Sequence, residues 1–168
     1  MLSGRPGRGA DIEVKGIMPN QEAPEQIEPQ SLADYLEVMS KAVFQAGMSW
    51  RVVESKWPST REAFREFDPE AVAALSERDV DALANDTRVI RNRRKLEAIV
   101  SNAGRMLELE AEHGSFRDYL RSHGGFEATV AELRKEFRFL GEMGCYYLLH
   151  VVGEEVPPPD EWEAARRR

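Results

Sequence analysis

The sequence predicts an all-α protein folded as a compact orthogonal helical bundle. Three observations predict it. From Ser31 onward apolar residues recur with a 3.6-residue period, no stretch alternates apolar and polar residues in a Val-, Ile- and Thr-rich run, and residues that start helices recur at short intervals. Many short helices at varied angles suit an orthogonal packing better than a long four-helix bundle, and no repeat of roughly 20 to 50 residues is visible.

Leu32, Tyr35, Leu36, Met39, Val43 and Phe44 fall on one face, with Asp34 three residues after a candidate Ser31 N-cap. They predict a helix that starts near residue 31 and stops near Gly47. Ser49 caps a second short helix through Trp50, Val53 and Trp57, which Pro58 is expected to close. Short helices follow near 60–66, 69–75 and 76–84, the second opened by Asp68 before Pro69 and the third by Ser76 with Asp79. A longer helix is predicted from about Arg91 to Glu112, burying Leu96, Ile99, Val100, Ala103, Met106 and Leu107, with Gly114 beyond its end. Ser115 with Asp118 opens a pair covering 115–122 and 125–136.

Residues 1–30 are rich in Gly and Pro and poor in large apolar side chains, a composition that predicts a flexible or loosely docked arm. Residues 31–162 then form the domain, and 163–168 a basic tail. The 168 residues fit one hydrophobic core. No apolar run approaches the roughly 18 to 20 residues of a spanning helix, and no apolar segment follows the basic first residues as in a signal peptide, so a cytoplasmic protein without membrane association is expected. Cys145 is the only cysteine, and His113, His123 and His150 lack ligand spacing, so neither a metal nor another cofactor is expected. The formal charge of −7 lowers the expectation of a polyanion partner, although local charge decides that matter.

Four stretches could carry chemistry. Phe137 to Leu149 is a glycine turn, with Gly141 and Gly144, leading into an apolar helix. Such a turn leaves backbone N–H groups open to a phosphate, and Arg134, Lys135 and Arg138 precede it; a plain helix–helix turn fits the same residues. Gly153 to Asp160 holds three consecutive prolines that stiffen the frame around the Asp160 carboxylate, or simply form a Pro-rich exit from the preceding helix. Arg88, Arg91, Arg93, Arg94 and Lys95 crowd the start of the long helix, where cations oppose the helix dipole; phosphate contact and a solvated, acid-paired face both explain them. Phe44, Gln45 and Trp50 flank small residues that suit either the wall of a flat base pocket or a piece of core. Phosphate-loop, dinucleotide-binding, zinc-protease and hydrolase-triad motifs are absent from the sequence.

Phe44-Gln45-Ala46-Gly47-Met48-Ser49-Trp50 resembles the signature segment of the bacterial 3-methyladenine DNA glycosylase I family. The likeness continues in order and spacing through Glu62 to Ala73, Asp79 to Leu83, Val89 to Ile99, Asn102-Ala103 and Phe137 to Gly141, covering about residues 32–153. It implies a helix-hairpin-helix motif and a DNA glycosylase that removes an alkylated, 3-methyladenine-like purine from duplex DNA by base flipping. Trp50, Gln45 and Phe44 would bind the base. Gly141, Gly144, Arg134, Lys135, Arg138, Arg91, Arg93 and Arg94 would bind DNA, and Asp160 would be the catalytic acid by analogy with the wider helix-hairpin-helix glycosylases.

Where the family carries a base-reading glutamate, eight positions before the signature tryptophan, this chain has Ala42; Glu37 and Asp34 on the same helix are candidate substitutes. Two positions after the hairpin glycine, where strand-cleaving relatives place a Schiff-base lysine, stands Met143, so a monofunctional hydrolase is implied. The family also implies a monomer. Ala42 keeps a second reading open, a DNA-binding homologue without excision, and the net charge a third, a helical protein-interaction domain.

Overall fold

The computed structural model describes residues 24–167; the expected arm 1–30 therefore lies mostly outside the described residues. Those described form nine α-helices and a short 3₁₀ turn, with no strand among them. In chain order the elements are α1 (Leu32–Gln45), α2 (Trp50–Ala63), the turn Arg65–Phe67, α3 (Pro69–Ala73), α4 (Glu77–Ala84), α5 (Arg93–His113), α6 (Phe116–Leu120), α7 (Phe126–Glu136), α8 (Glu142–Val151) and α9 (Pro159–Arg166).

Helix α1 is the hub. It packs on α2, α3, α5, α8 and the 3₁₀ turn, and α5 gathers α3, α4 and α6 around the other side. Leu36, Met39, Val43 and Phe44 of α1 are buried with Leu96, Ile99 and Met106 of α5 and Leu148 of α8 in one apolar core. At the α1–α8 crossing both helices present small residues. A Cβ on Gly144 would lie 3.1 Å from a Leu140 methyl and 3.6 Å from the Cβ of Ala42. Gly144 therefore faces the interior of the bundle, not the outside of the turn.

The helix starts obey local chemistry. Ser76 and Asp79 form a reciprocal capping box, with bonds of 3.1 and 2.8 Å. Asp68 accepts from the Ala71 amide ahead of Pro69, and Ser115 from the Asp118 amide. At α1 the roles change: the Ser31 side chain makes no cap bond, and Asp34 instead accepts from the Gln30 amide at 2.7 Å.

Two expectations are corrected. Pro58 does not close α2, because Val53, Trp57 and Thr60 are buried on both sides of it and their packing carries the helix on to Ala63. The helix expected near 60–66 is instead the end of α2 followed by a left-handed turn, with φ of 57° to 58° at Arg65, Glu66 and Phe67. Left-handed residues with a Cβ cost roughly 1–2 kcal/mol each. The turn brings Phe64 and Phe67 together at 5.4 Å and stacks Phe67 on Trp57, all three rings buried. The basic tail continues α9 as far as Arg166, whose guanidinium lies 4.7 Å from the Trp162 ring.

Residues 24–30 are held against the body. The Ile27 amide donates to Val151 O at 2.7 Å and the Gln26 side chain to His150 O at 2.9 Å. Beyond α8 the chain turns at Gly153, φ 85°, where the Glu154 amide donates to Leu149 O and the Gly153 amide to His150 O. The Tyr146 hydroxyl donates to Pro157 O and so fastens the proline loop to α8.

The turn between α7 and α8 is clamped from α5. The buried Asn102 amide donates to Arg138 O at 3.1 Å and accepts from the Arg138 N–H at 2.8 Å. Replacing Asn102 by Ala orphans both backbone groups and is expected to cost about 1–3 kcal/mol, read from a urea unfolding midpoint.

Burial lowers the pKa of His150 from its ordinary 6.5, opposed by a hydrogen bond to the Pro24 backbone. The unfolded imidazole gains its proton first as pH falls, so stability is complete above pH 6.5 and is lost below it, toward the folded pKa. The melting temperature is expected to drop between pH 7.5 and 5.5 by more in the native chain than in His150→Gln.

Candidate active site

The start of α2 is positioned by a buried cation. Asn92 caps α5 by accepting from the Lys95 amide, and the Lys95 side chain runs inward, where its ammonium donates to the Phe44 and Ala46 carbonyls at the end of α1. A helix end carries unsatisfied carbonyls and partial negative charge, and Lys95 answers both. Burial lowers its pKa from 10.5. Gly47, at φ 76°, then takes the left-handed corner that leads into Ser49 and Trp50.

Trp50 opens onto a cavity of about 420 Å³ between the docked segment, α1, α2 and α8. Its walls include Ile27, Trp50 and Tyr147, with the carboxylates of Glu25, Asp34, Glu37 and Glu54 and the ammonium of Lys41. Asp34, Glu37, Val38 and Lys41 share one face of α1 by the i, i+3, i+4, i+7 rule. Glu37 is fixed at both oxygens: Trp57 Nε1 donates to one at 2.9 Å and Arg61 Nε to the other at 3.2 Å. Lys41 pairs with Glu54 at 2.9 Å and lies 5.3 Å from the Trp50 ring centre. Tyr147 meets Trp50 edge-on at 5.8 Å, and burial raises its hydroxyl pKa, so it stays a neutral phenol. An aromatic slot lined by four carboxylates and one ammonium suits a flat, cationic guest.

Several expected site residues lie elsewhere. Phe44 is fully buried against Trp57 and Phe64, so it supports the site from within the core and cannot touch a base. Gln45 is half-buried at the end of α1 and does not line the cavity. Asp160 is exposed in the first turn of α9 and does not line it either; α9 packs through Trp162 against Phe126 and Tyr146. Ala42 is buried against Gly144 and adds nothing to the cavity wall.

Of the expected DNA contacts, Arg93 is engaged by Asp81 and Glu97, and Lys135 by Glu132. Arg91, Arg94, Arg134 and Arg138 are exposed and form no ion pair among the described residues. The Arg94 guanidinium lies 5.8 Å from the ring of Phe139, an exposed residue at the tip of the α7–α8 turn with φ 57°. Gly141, beside it, begins α8 with open space around its Cα.

Lys41, Glu54 and Tyr147 were not foreseen as site residues. Helical spacing from Asp34 and Glu37 points to Lys41, whereas Glu54 and Tyr147 reach the cavity only through tertiary packing. Cys145 is buried, its thiol pushed up to about 12, and no group of three His, Cys, Asp or Glu among the described residues could hold a metal. No helix of the described residues is long and apolar enough to cross a membrane.

The methyladenine glycosylase family profile matches residues 28–136. The DNA-3-methyladenine glycosylase of Haemophilus influenzae is 35% identical over 130 residues, spanning 65% of this chain and 70% of that protein. DNA-3-methyladenine glycosylase 1 of Escherichia coli is 32% identical over the same shares. Among solved structures, a 3-methyladenine DNA glycosylase I crystal structure superposes with a TM-score of 0.68 at 30% identity, covering 76% of this chain and 81% of the other. A tyrosine-to-phenylalanine variant of 3-methyladenine DNA glycosylase I in complex with 3-methyladenine gives the same TM-score at 26% identity, over 77% and 81%. With its profile match, its relatives and its all-α architecture in agreement, the chain belongs to the methyladenine glycosylase family.

Proposed function

We propose that this protein hydrolyses the N-glycosidic bond of an alkylated purine in duplex DNA, drawing the flipped nucleotide into the Trp50 cavity. One observation carries the reading: in a member of this family, a single cavity sets the signature tryptophan beside several carboxylates. A purine alkylated on a ring nitrogen is cationic and leaves readily, so modest electrostatic help suffices once it is unstacked. Trp50 supplies a π-face, and the surplus of carboxylates favours the cation over an undamaged neutral base.

When the bond between the base and C1′ breaks, its electron pair goes to the base, which departs neutral. Positive charge then passes to the sugar. Glu37, held by Trp57 and Arg61, is the carboxylate assigned to stabilise that charge and to accept a proton from the water whose oxygen bonds C1′. Met143 occupies the lyase-lysine position, so the product is an intact abasic strand. The exposed Arg94, Arg138, Arg134 and Arg91, with the amides that begin α8 at Gly141, are assigned to the phosphate backbone.

A second reading, binding without excision, draws on Ala42, which leaves no acid at the family's glutamate position. Single-turnover release of methylated bases from alkylated duplex DNA separates the two. Release is expected from the native chain, falling about tenfold or more in Trp50→Ala and about 10²- to 10³-fold in Glu37→Gln, while Asp160→Asn stays close to native. Salt-sensitive duplex binding without any release would select the binding reading instead.

A further inference from the structure

A second cavity, of about 720 Å³, lies among the end of α6, the start of α7, the proline loop and α9. Phe126, Leu149, Val156 and Trp162 give it an apolar lining. Glu127, Glu154, Glu155 and Glu161 also line it, against a single cation, Arg121. That cation is already neutralised, because its guanidinium donates to both oxygens of Glu154, at 2.9 and 3.1 Å. Glu127, Glu155 and Glu161 are exposed and form no ion pair among the described residues. Such a cavity suits a segment that brings apolar contact and positive charge together.

The described chain starts beside it. His150 hydrogen-bonds to the Pro24 backbone, the Gln26 side chain donates to His150 O, and the Ile27 amide donates to Val151 O. Leu149, the sequence neighbour of His150, belongs to the cavity wall, and so does the loop from Glu154 to Pro157 that follows α8. Residues 1–23, which lie outside the described residues, are therefore tethered at this end of α8. Their first ten residues include Leu2, Arg5 and Arg8 and no Asp or Glu, the composition complementary to the cavity. The interval from Arg8 to Pro24 can reach roughly 50 Å when extended, so the tether does not limit access. Attachment gives the segment a local concentration of about millimolar, at which individually weak contacts hold.

We propose that residues 2–8 of this chain dock in the cavity between α6, α7 and α9, with Leu2 against its apolar lining and Arg5 and Arg8 on Glu127, Glu155 and Glu161. The assignment is independent of what the Trp50 cavity binds.

A nitroxide on Ser3→Cys in the full ¹⁵N-labelled chain reads where the segment sits, because Cys145, the only native cysteine, is buried and escapes the label. The Trp162 indole N–H signal is expected to be lost selectively while that of Trp50 persists, and to return when Arg5→Glu and Arg8→Glu are added. Loss of the Trp162 signal that survives this charge reversal rejects the arginine pairing and overturns the proposal. A segment that does not dock samples both sides of Pro24, which also lines the Trp50 cavity, and would broaden the two indoles alike. That result overturns the proposal, as does broadening confined to Trp50. Equal loss at Trp162 in a mixture of nitroxide-bearing ¹⁴N protein and nitroxide-free ¹⁵N protein would place a second copy's segment in the cavity and overturn it too.

Discussion

The site depends on one buried ammonium. Lys95 enters the core from the first turn of the long helix α5 and bonds the last carbonyls of α1. Those carbonyls sit where the chain leaves α1 for the Gly47 corner and Trp50, so one side chain fixes the end of the hub helix, the corner and the wall of the cavity. Its burial is tolerable because both acceptors lie at a helix C-terminus, where dipole and lone pairs favour a cation. The neighbouring Asn102, seven residues on and on the same buried side of α5, does the equivalent for the α7–α8 turn. One helix thereby sets the distance between the Trp50 cavity and the turn whose surface is proposed to meet phosphate.

The cavity is closed by a segment whose composition suggested no fixed place. Glu25 and Ile27 belong to the Pro-rich lead-in, yet hydrogen bonds from the Ile27 amide and the Gln26 side chain to the end of α8 bring them to the rim. Local composition measures how much surface a segment can bury by itself; two hydrogen bonds to a formed helix end and the partial burial of Pro24 supply the rest.

The fold was legible in the sequence because its helices start with side-chain caps. Ser76 with Asp79, Asp68 with Pro69, and Ser115 hold their N-termini as local chemistry dictates. Pro58 misled because the burial of Val53, Trp57 and Thr60 is a tertiary effect that outweighs a missing bond. The left-handed turn after Ala63 was invisible for the same reason: the Trp57–Phe67–Phe64 stack rewards it, and no local residue announces it. Lys95 looked like one more cation in a basic run. Its phase with Ile99, Asn102 and Met106 placed it on the buried stripe all along. For the proposed site, the signature segment points to Trp50 and the missing family glutamate points to Glu37 as a substitute on α1, while Asp160, taken from an analogy, stands exposed on α9 and does not line the Trp50 cavity.

If the damaged base enters the Trp50 cavity as proposed, the protein carries its own reporters of it. Its three tryptophans give three indole N–H signals. Trp50 lines this cavity, Trp57 donates to Glu37 on its wall, and Trp162 lines a larger cavity of about 720 Å³ near α7 and α9. Titration of the ¹⁵N-labelled protein with free 3-methyladenine is expected to shift Trp50 and Trp57 saturably and leave Trp162 unmoved. A shift at Trp162 with Trp50 and Trp57 silent would contradict the account.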